Sequence, residues 1–184
     1  VLDLPVDPAL AEFSSMDWWG DRLVLLPQYP AVMVPGDGGA LLSIGRERLR
    51  AYLDGRDTSA IRPDLVGFDD DGLPEMIAGW DGYEAIAFAG DHVYLTVETR
   101  AATGWEALIV KGRARSDPPS ITIETHRRLS LASASGRPNF SEEALLVHGD
   151  EVWSLHELNG ERVNPAPRVT RVDRDLGRLE PLVF

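Results

Sequence analysis

The sequence predicts an all-β chain that folds as a β-propeller, on the basis of an internal repeat and of the strand-like runs that follow each copy. The repeat is clearest between residues 84–98 and 143–157, which share the pattern E-A-apolar-x-x-x-G-D-x-V-aromatic-x-x-x-E. A weaker copy at residues 14–28 keeps the Gly-Asp pair and the apolar run after it. Because a Gly-Asp pair between two β-rich runs is typical of a tight turn, each copy predicts one β-hairpin.

Two further strand-like runs follow each predicted hairpin. They lie at residues 40–44 and 64–68, at 105–110 and 120–125, and at 168–172 and 179–184. Three groups of four strands predict three four-stranded propeller blades in a single domain, at about residues 10–78, 79–137 and 138–184. The helical pattern of residues 46–53 predicts one short helical insertion. A β-sandwich with two similar hairpins is the alternative that the sequence leaves open.

Three blades do not complete a ring, because propellers close with about four to eight blades. We therefore expect these blades to be half of a six-bladed ring. Either further C-terminal blades or a second copy of the chain, as a homodimer, would close it. An open half ring would leave unpaired strand edges and apolar faces exposed.

The composition excludes several classes of function. The 184 residues include 30 acidic and 18 basic side chains, which give a net charge of −12. A surface that negative repels nucleic acid and anionic membranes. The chain has no cysteine, so it forms no disulfide, no zinc–thiolate site and no cysteine nucleophile. No apolar run is long enough for a membrane span.

Glutamates stand at both ends of the two clear repeat copies. With turns centred on the Gly-Asp pairs, Glu84 would lie directly opposite Glu98, and Glu143 would lie directly opposite Glu157. The first strand of each propeller blade lines the central channel, so we expect Glu84 and Glu143 to lie near each other. Facing carboxylates repel each other unless a cation, a basic side chain, a raised pKa or solvent relieves them.

A cluster of oxygen ligands without sulfur favours a hard cation, and Ca²⁺ suits it best because calcium accepts six to eight oxygens in flexible geometry. The sequence therefore predicts a calcium ion near the channel mouth. The predicted ligands are Glu84, Glu143, Glu98 and Glu157.

Four other residues bear on this prediction. Ser14 and Gln28 hold the equivalent places in the first repeat copy and offer neutral oxygens. Asp81 and Asn139 precede the two inner strands and would help to hold the ion. The alternative is that the glutamates are ordinary rim charges, exposed to solvent or paired with arginines, and that Asp81 and Asn139 are turn residues.

Other patterns indicate no reaction. Residues 69–72 (Asp-Asp-Asp-Gly) lack the alternating ligands of an EF-hand loop and predict a hairpin turn. The sequence contains no serine-hydrolase elbow and no nucleotide-binding fingerprint. It therefore identifies no catalytic residue.

The segments Tyr83–Phe88 and Glu142–Val147, each followed by Gly-Asp and a second strand, resemble the inner strands of secreted bacterial β-propellers in the esterase-like phytase group. The resemblance covers the three hairpins, about a quarter of the chain. It implies an exported, six-bladed propeller with calcium near its axis, and Glu84 and Glu143 are the positions that match. The first copy departs from the pattern because Ser14 stands where that family has glutamate.

We therefore predict an extracytoplasmic, periplasmic or secreted, β-propeller binding module that holds a calcium ion, without demonstrable catalysis. One alternative is a metal-dependent hydrolase of phosphate or carboxylic esters, in which Glu84 and Glu143 hold an ion that activates water or polarises the substrate. Another is a metal-free scaffold for protein interactions. The sequence identifies neither a substrate nor a partner.

Overall fold

The computed structural model describes residues 1–7, 9–34, 39–101, 104–131, 142–156 and 168–183. Within these residues the chain forms twelve strands, two short helices and one 3₁₀ turn. The elements are β1 Phe13–Trp19, β2 Arg22–Pro27, the 3₁₀ turn Pro30–Val32, β3 Ala40–Gly45, α1 Arg46–Leu53, β4 Asp64–Asp69, α2 Leu73–Met76, β5 Trp80–Ala89, β6 His92–Ala101, β7 Gly104–Ser116, β8 Pro119–Leu131, β9 Glu142–His148, β10 Glu151–His156, β11 Arg168–Asp173 and β12 Leu182–Val183.

The predicted all-β propeller class is confirmed. The strands form three antiparallel groups of four in chain order, which we name blade 1 (β1–β4), blade 2 (β5–β8) and blade 3 (β9–β12). The first strands pack against one another, β1 against β5 and β5 against β9. Helix α1 occupies the predicted insertion. No helix of the described residues is long and apolar enough to cross a membrane.

Glycine is required in the three predicted hairpin turns. Gly20, Gly90 and Gly149 have φ angles of 61°, 66° and 57°, which are unfavourable for residues with a Cβ atom. Each is the first residue of a two-residue turn, the place where a type II′ hairpin needs a positive φ. An added Cβ would meet no atom within 4 Å at any of the three, so backbone conformation alone explains these glycines.

Blades 1 and 2 are not separate sheets, contrary to the simple three-blade prediction. Their outer strands pair in parallel, with Gly67 opposite Ser120 and Asp69 opposite Thr122. The two blades therefore form one eight-stranded sheet that runs from β1 to β5. The pairing removes two exposed outer edges. The sheet wraps around a core that includes residues from both blades, among them Leu41, Val66, Ile86 and Ile121.

The far face of blade 1 has a second core of its own. Leu25, Leu42 and Ile44 are buried there, and Leu49 and Tyr52 of α1 pack against the same cluster. The helical insertion thus covers part of the face on which we expected another blade to pack. A third core joins blades 2 and 3.

The residues after β4 do not form the predicted hairpin turn. Asp69 and Asp70 accept hydrogen bonds from the backbone N–H groups of Asp71 and Gly72, and the chain then enters α2. The next strand, β5, begins a new blade rather than returning along β4. The sequence therefore predicted a turn at residues 69–72. It did not predict which strand follows the turn, because that depends on how the blades pack.

Candidate functional site at the hub

Glu84 occupies an irregular position in β5. The hairpin pairs Ala85 with Thr96 and Tyr83 with Val97, and the ladder skips Glu84 between them. The predicted register, with Glu84 directly opposite Glu98, was therefore wrong. The Gly90–Asp91 pair forms a two-residue turn that joins Ala89 to His92, which shifts the register by one residue, and the irregularities at Glu84 and after Trp80 shift it further. A bulge of this kind redirects a side chain away from the regular alternation of the strand.

The same irregularity recurs at the equivalent position of each inner strand. In blade 3 the ladder pairs Leu155 with Ala144 and then His156 with Glu142, so that it skips Glu143. In blade 1 it passes from Phe13 to Ser15 and skips Ser14. All three skipped residues stand six positions before the glycine of the hairpin turn.

Glu84 contacts residues of blade 1. Gln28 donates a hydrogen bond from Nε2 to Oε1 of Glu84 at 2.9 Å, and the side chain of Ser14 forms a second hydrogen bond with the carboxyl group. The same Gln28 Nε2 also donates to the backbone oxygen of Asp81 at 3.2 Å. Because these contacts cross from β1 and from the residue after β2 to β5, Glu84 links two blades.

The electrostatic environment of Glu84 involves the other two predicted glutamates. Burial, the largest cause, and the negative charges of Glu143 and Glu98 together raise the pKa of Glu84 to about 8, against the hydrogen bonds from Gln28 and Ser14, which lower it. Glu84 is 7% exposed and Glu98 is 4% exposed. The alternative that these two glutamates are solvent-exposed rim charges therefore fails.

Three of the four predicted metal ligands thus lie close enough to interact. We name Ser14, Gln28, Glu84, Glu98 and Glu143 the hub cluster. Glu157, the fourth predicted ligand, and Asn139 lie outside the described residues.

Asp81, a predicted helper, contacts the cluster through its backbone. Its carbonyl oxygen accepts hydrogen bonds from Gln28 and from the Tyr29 hydroxyl, the latter at 3.2 Å. Its carboxylate lies 3.7 Å from Arg100. The backbone of Asp81 therefore orients Gln28, whereas its carboxylate is paired with Arg100.

The donor set of the hub cluster fits a hard cation in its chemistry. It offers three carboxylates and the neutral oxygens of a serine and a glutamine, without sulfur or imidazole, which is the set that calcium accepts. Within the described residues, no three His, Asp or Glu side chains are arranged to hold a metal ion together. Binding would therefore require the side chains to rotate toward one another.

Side chains of β1 satisfy part of the inner edge of blade 2, a feature that sequence analysis missed. The backbone N–H of Phe88 donates to Oδ2 of Asp17 at 2.8 Å, and that of Ile86 donates to the Ser15 hydroxyl at 3.3 Å. Unpaired edge groups of a hub strand need such partners. The sequence does show two polar side chains, Ser15 and Asp17, at alternate positions of β1. It does not show that β5 is the strand whose backbone they contact.

No protein-family model and no curated protein matches the sequence. One similar solved structure is a GH32 β-fructofuranosidase of Bombyx mori in complex with sucrose, with a TM-score of 0.46 and 13% identity over 95% of this chain and 37% of that chain. Another is the Nup133 β-propeller domain of Vanderwaltozyma polyspora, with a TM-score of 0.39 and 9% identity over 94% of this chain and 47% of that chain. This chain spans less than half of each of these two chains. The fold assignment rests on the strand order and packing described above.

Proposed function

We propose that this chain is a β-propeller binding module whose hub holds a calcium ion through Glu84, Glu98 and Glu143, with Glu157 as a further ligand. The observation that supports the proposal is the environment of Glu84. Its carboxyl group is buried and its pKa is raised to about 8 by burial and by Glu143 and Glu98. A divalent cation would relieve this repulsion and replace the proton.

The proposed site would bind calcium in preference to magnesium. Magnesium demands near-ideal octahedral geometry and gives up its waters reluctantly, whereas calcium accepts irregular sets of carboxylate and neutral oxygens. Gln28 and Ser14 bond to Glu84 and would supply the neutral oxygens. The proposal includes an extracytoplasmic location, where calcium modules have dissociation constants of about 10⁻⁴–10⁻³ M.

The proposed module also needs a complete ring. Three blades leave the hub open on one side, so further blades or a second copy of this chain would enclose it. Enclosure would exclude water and strengthen the attraction between the ion and the carboxylates.

Calorimetry with calcium chloride tests the calcium site. At neutral pH most Glu84 side chains carry a proton, so binding should release about one proton per ion, measured from the change in observed enthalpy between buffers of different ionisation enthalpy. Above the raised pKa of Glu84, proton release should vanish and calcium should bind more tightly. The variant Glu84→Gln should abolish both the proton release and the increase of calcium affinity with pH.

A matched control separates the hub from the general acidity of the chain. Glu47 lies on α1 with an exposed side chain, so Glu47→Gln removes the same charge far from the hub and should leave calcium binding unchanged. Equal loss of binding in both variants would indicate nonspecific attraction to a negative surface. If the wild-type chain binds no calcium at any pH, the hub is metal-free, and the scaffold alternative replaces the calcium proposal.

A further inference from the structure

A separate pocket of about 500 Å³ lies between blades 1 and 2, and none of its lining residues belongs to the hub cluster. The chain after β2 contributes Tyr29, the segment after β4 contributes Asp70 and Glu75, and the start of β5 contributes Trp80 and Tyr83. Pockets of this size, lined by aromatic rings and a few convergent polar groups, are typical small-molecule sites.

The aromatic rings of the pocket stand nearly perpendicular to one another. The ring centroids of Tyr29 and Trp80 are 5.5 Å apart at an interplanar angle of 70°, and those of Trp80 and Tyr83 are 5.8 Å apart at 74°. The Tyr29 hydroxyl is fixed by its hydrogen bond to the Asp81 carbonyl. Rings at such angles form adjacent walls, the arrangement of the aromatic cages that hold ammonium groups.

Two carboxylates add negative charge to this pocket. Burial raises the pKa of Asp70, and the neighbouring charges of Glu75 and Asp69 add to the effect. Within the described residues, neither Asp70 nor Glu75 forms a salt bridge with a basic side chain. A positively charged ligand would therefore be attracted by both carboxylates.

The Tyr83 hydroxyl is an independent indication of a ligand. Tyr83 is 1% exposed, and its hydroxyl has no hydrogen-bond partner within the described part of the chain. The side chain of Tyr83 lines the same pocket as Asp70 and Glu75. The indole nitrogen of Trp80 is also buried without a partner there. Buried donors of this kind need an acceptor.

We propose that this pocket binds an organic ammonium cation that carries an oxygen acceptor, as in choline. The ammonium group would lie among Tyr29, Trp80 and the two carboxylates, where cation–π and charge attraction act together. The ligand oxygen would accept a hydrogen bond from the Tyr83 hydroxyl or from the Trp80 indole N–H, after a small shift of the side chains that line the pocket. A neutral polyol would satisfy the donors but would leave the two carboxylates without a counter-charge.

Three probes of similar size test the two parts of this proposal by calorimetry. Choline carries both the charge and the oxygen, tetramethylammonium lacks the oxygen, and 3,3-dimethylbutan-1-ol is the neutral shape analogue of choline. We expect the neutral alcohol to bind at least about tenfold more weakly than choline. Tetramethylammonium should bind with an intermediate affinity because it makes the ring and carboxylate contacts only.

Variants locate the binding within the chain. Glu75 is exposed, so Glu75→Gln should leave the fold intact and weaken choline binding about threefold or more. Asp70→Asn retains an oxygen for the Gly72 N–H and should have the same effect. Glu47→Gln removes the same charge from an exposed position on α1 and should leave choline binding unchanged.

Three results would overturn the proposal. One is the absence of choline binding at millimolar concentration, and another is equal affinity for choline and the neutral alcohol. The third is choline binding that neither Glu75→Gln nor Asp70→Asn weakens. Because calcium binding is measured separately, failure of this proposal leaves the hub proposal to its own test.

Discussion

At the scale of single residues, Glu84 is the side chain that connects the three blades. It accepts a hydrogen bond from Gln28 of blade 1, and its pKa responds to Glu98 of blade 2 and Glu143 of blade 3. A buried carboxyl group with a raised pKa is common at functional sites, although structural clusters produce it too. Its protonation therefore reports on the assembly of the hub.

The raised pKa of Glu84 predicts a pH dependence of stability. Glu84 has a pKa near 4.5 when unfolded and of about 8 when folded, so the folded state binds the extra proton. Its contribution to the free energy of unfolding is complete below about pH 4.5 and is lost as the pH rises through about 8. We expect a decline of about 2–4 kcal/mol across this range in calcium-free buffer, after allowance for solvent screening.

Urea unfolding at a series of pH values measures this decline. Glu84→Gln mimics the protonated carboxyl and should flatten the profile between about pH 5 and 8, whereas Glu47→Gln should keep the wild-type slope. If the Glu84→Gln profile parallels that of the wild type, Glu84 is ionised in the folded hub at neutral pH and our account of its environment is wrong.

At the scale of elements, each inner hairpin couples a turn to a bulge. The turn glycine adopts a positive φ, and the ladder skips the residue six positions earlier. The turn fixes the register of the pairing near it, and the bulge then shifts that register near the hub. The hairpin therefore aims Ser14, Glu84 and Glu143 independently of the regular alternation of the strand.

A substitution in the turn tests its contribution to stability. Gly90→Ala places a Cβ atom on a residue with φ of 66°, and we expect the free energy of unfolding to fall by about 1–2 kcal/mol. Gly67→Ala in β4 is the matched control. Its φ is unexceptional and an added Cβ would lie 3.7 Å from Cβ of Ser120, so its stability should be unchanged or slightly higher.

Urea unfolding of the two variants provides the comparison. A Gly90→Ala protein as stable as the wild type would mean that the turn tolerates a side chain, and the positive φ would not explain the glycine.

At the scale of the whole molecule, the two end blades differ in what their far faces present. The far face of blade 1 is partly covered by α1. On β9 of blade 3, Leu146 is 45% exposed, while Leu145 and Val147 pack toward blade 2. Apolar side chains on a free sheet face are typical of a surface that another sheet covers. Leu65 of blade 1 is exposed to a similar extent, at 48%, so a second copy that closed the ring would join blade 3 of one chain to blade 1 of the other.

Light scattering tests closure by a second copy. We expect a mass of about twice the 20.2 kDa of one chain, and Leu146→Asp should shift the protein toward the monomer because it buries a charge in the contact. Met76→Asp is the matched control, since Met76 is 56% exposed on α2, between blades 1 and 2 and away from both end faces. A wild-type monomer at high concentration would contradict closure by a homodimer and leave further blades as the remaining possibility.

The sequence by itself determined the class, the strand groups, the helical insertion and the Gly-Asp turns, because each depends on local patterns such as a repeat, alternating apolar residues and a glycine with positive φ. It also indicated that Glu84 and Glu143 hold equivalent positions. Only the tertiary structure decided the bulge that displaces Glu84 from Glu98, the parallel pairing of β4 with β8 and the pocket around Trp80. These features join residues that are distant in sequence, and their geometry follows from the packing of one blade against the next.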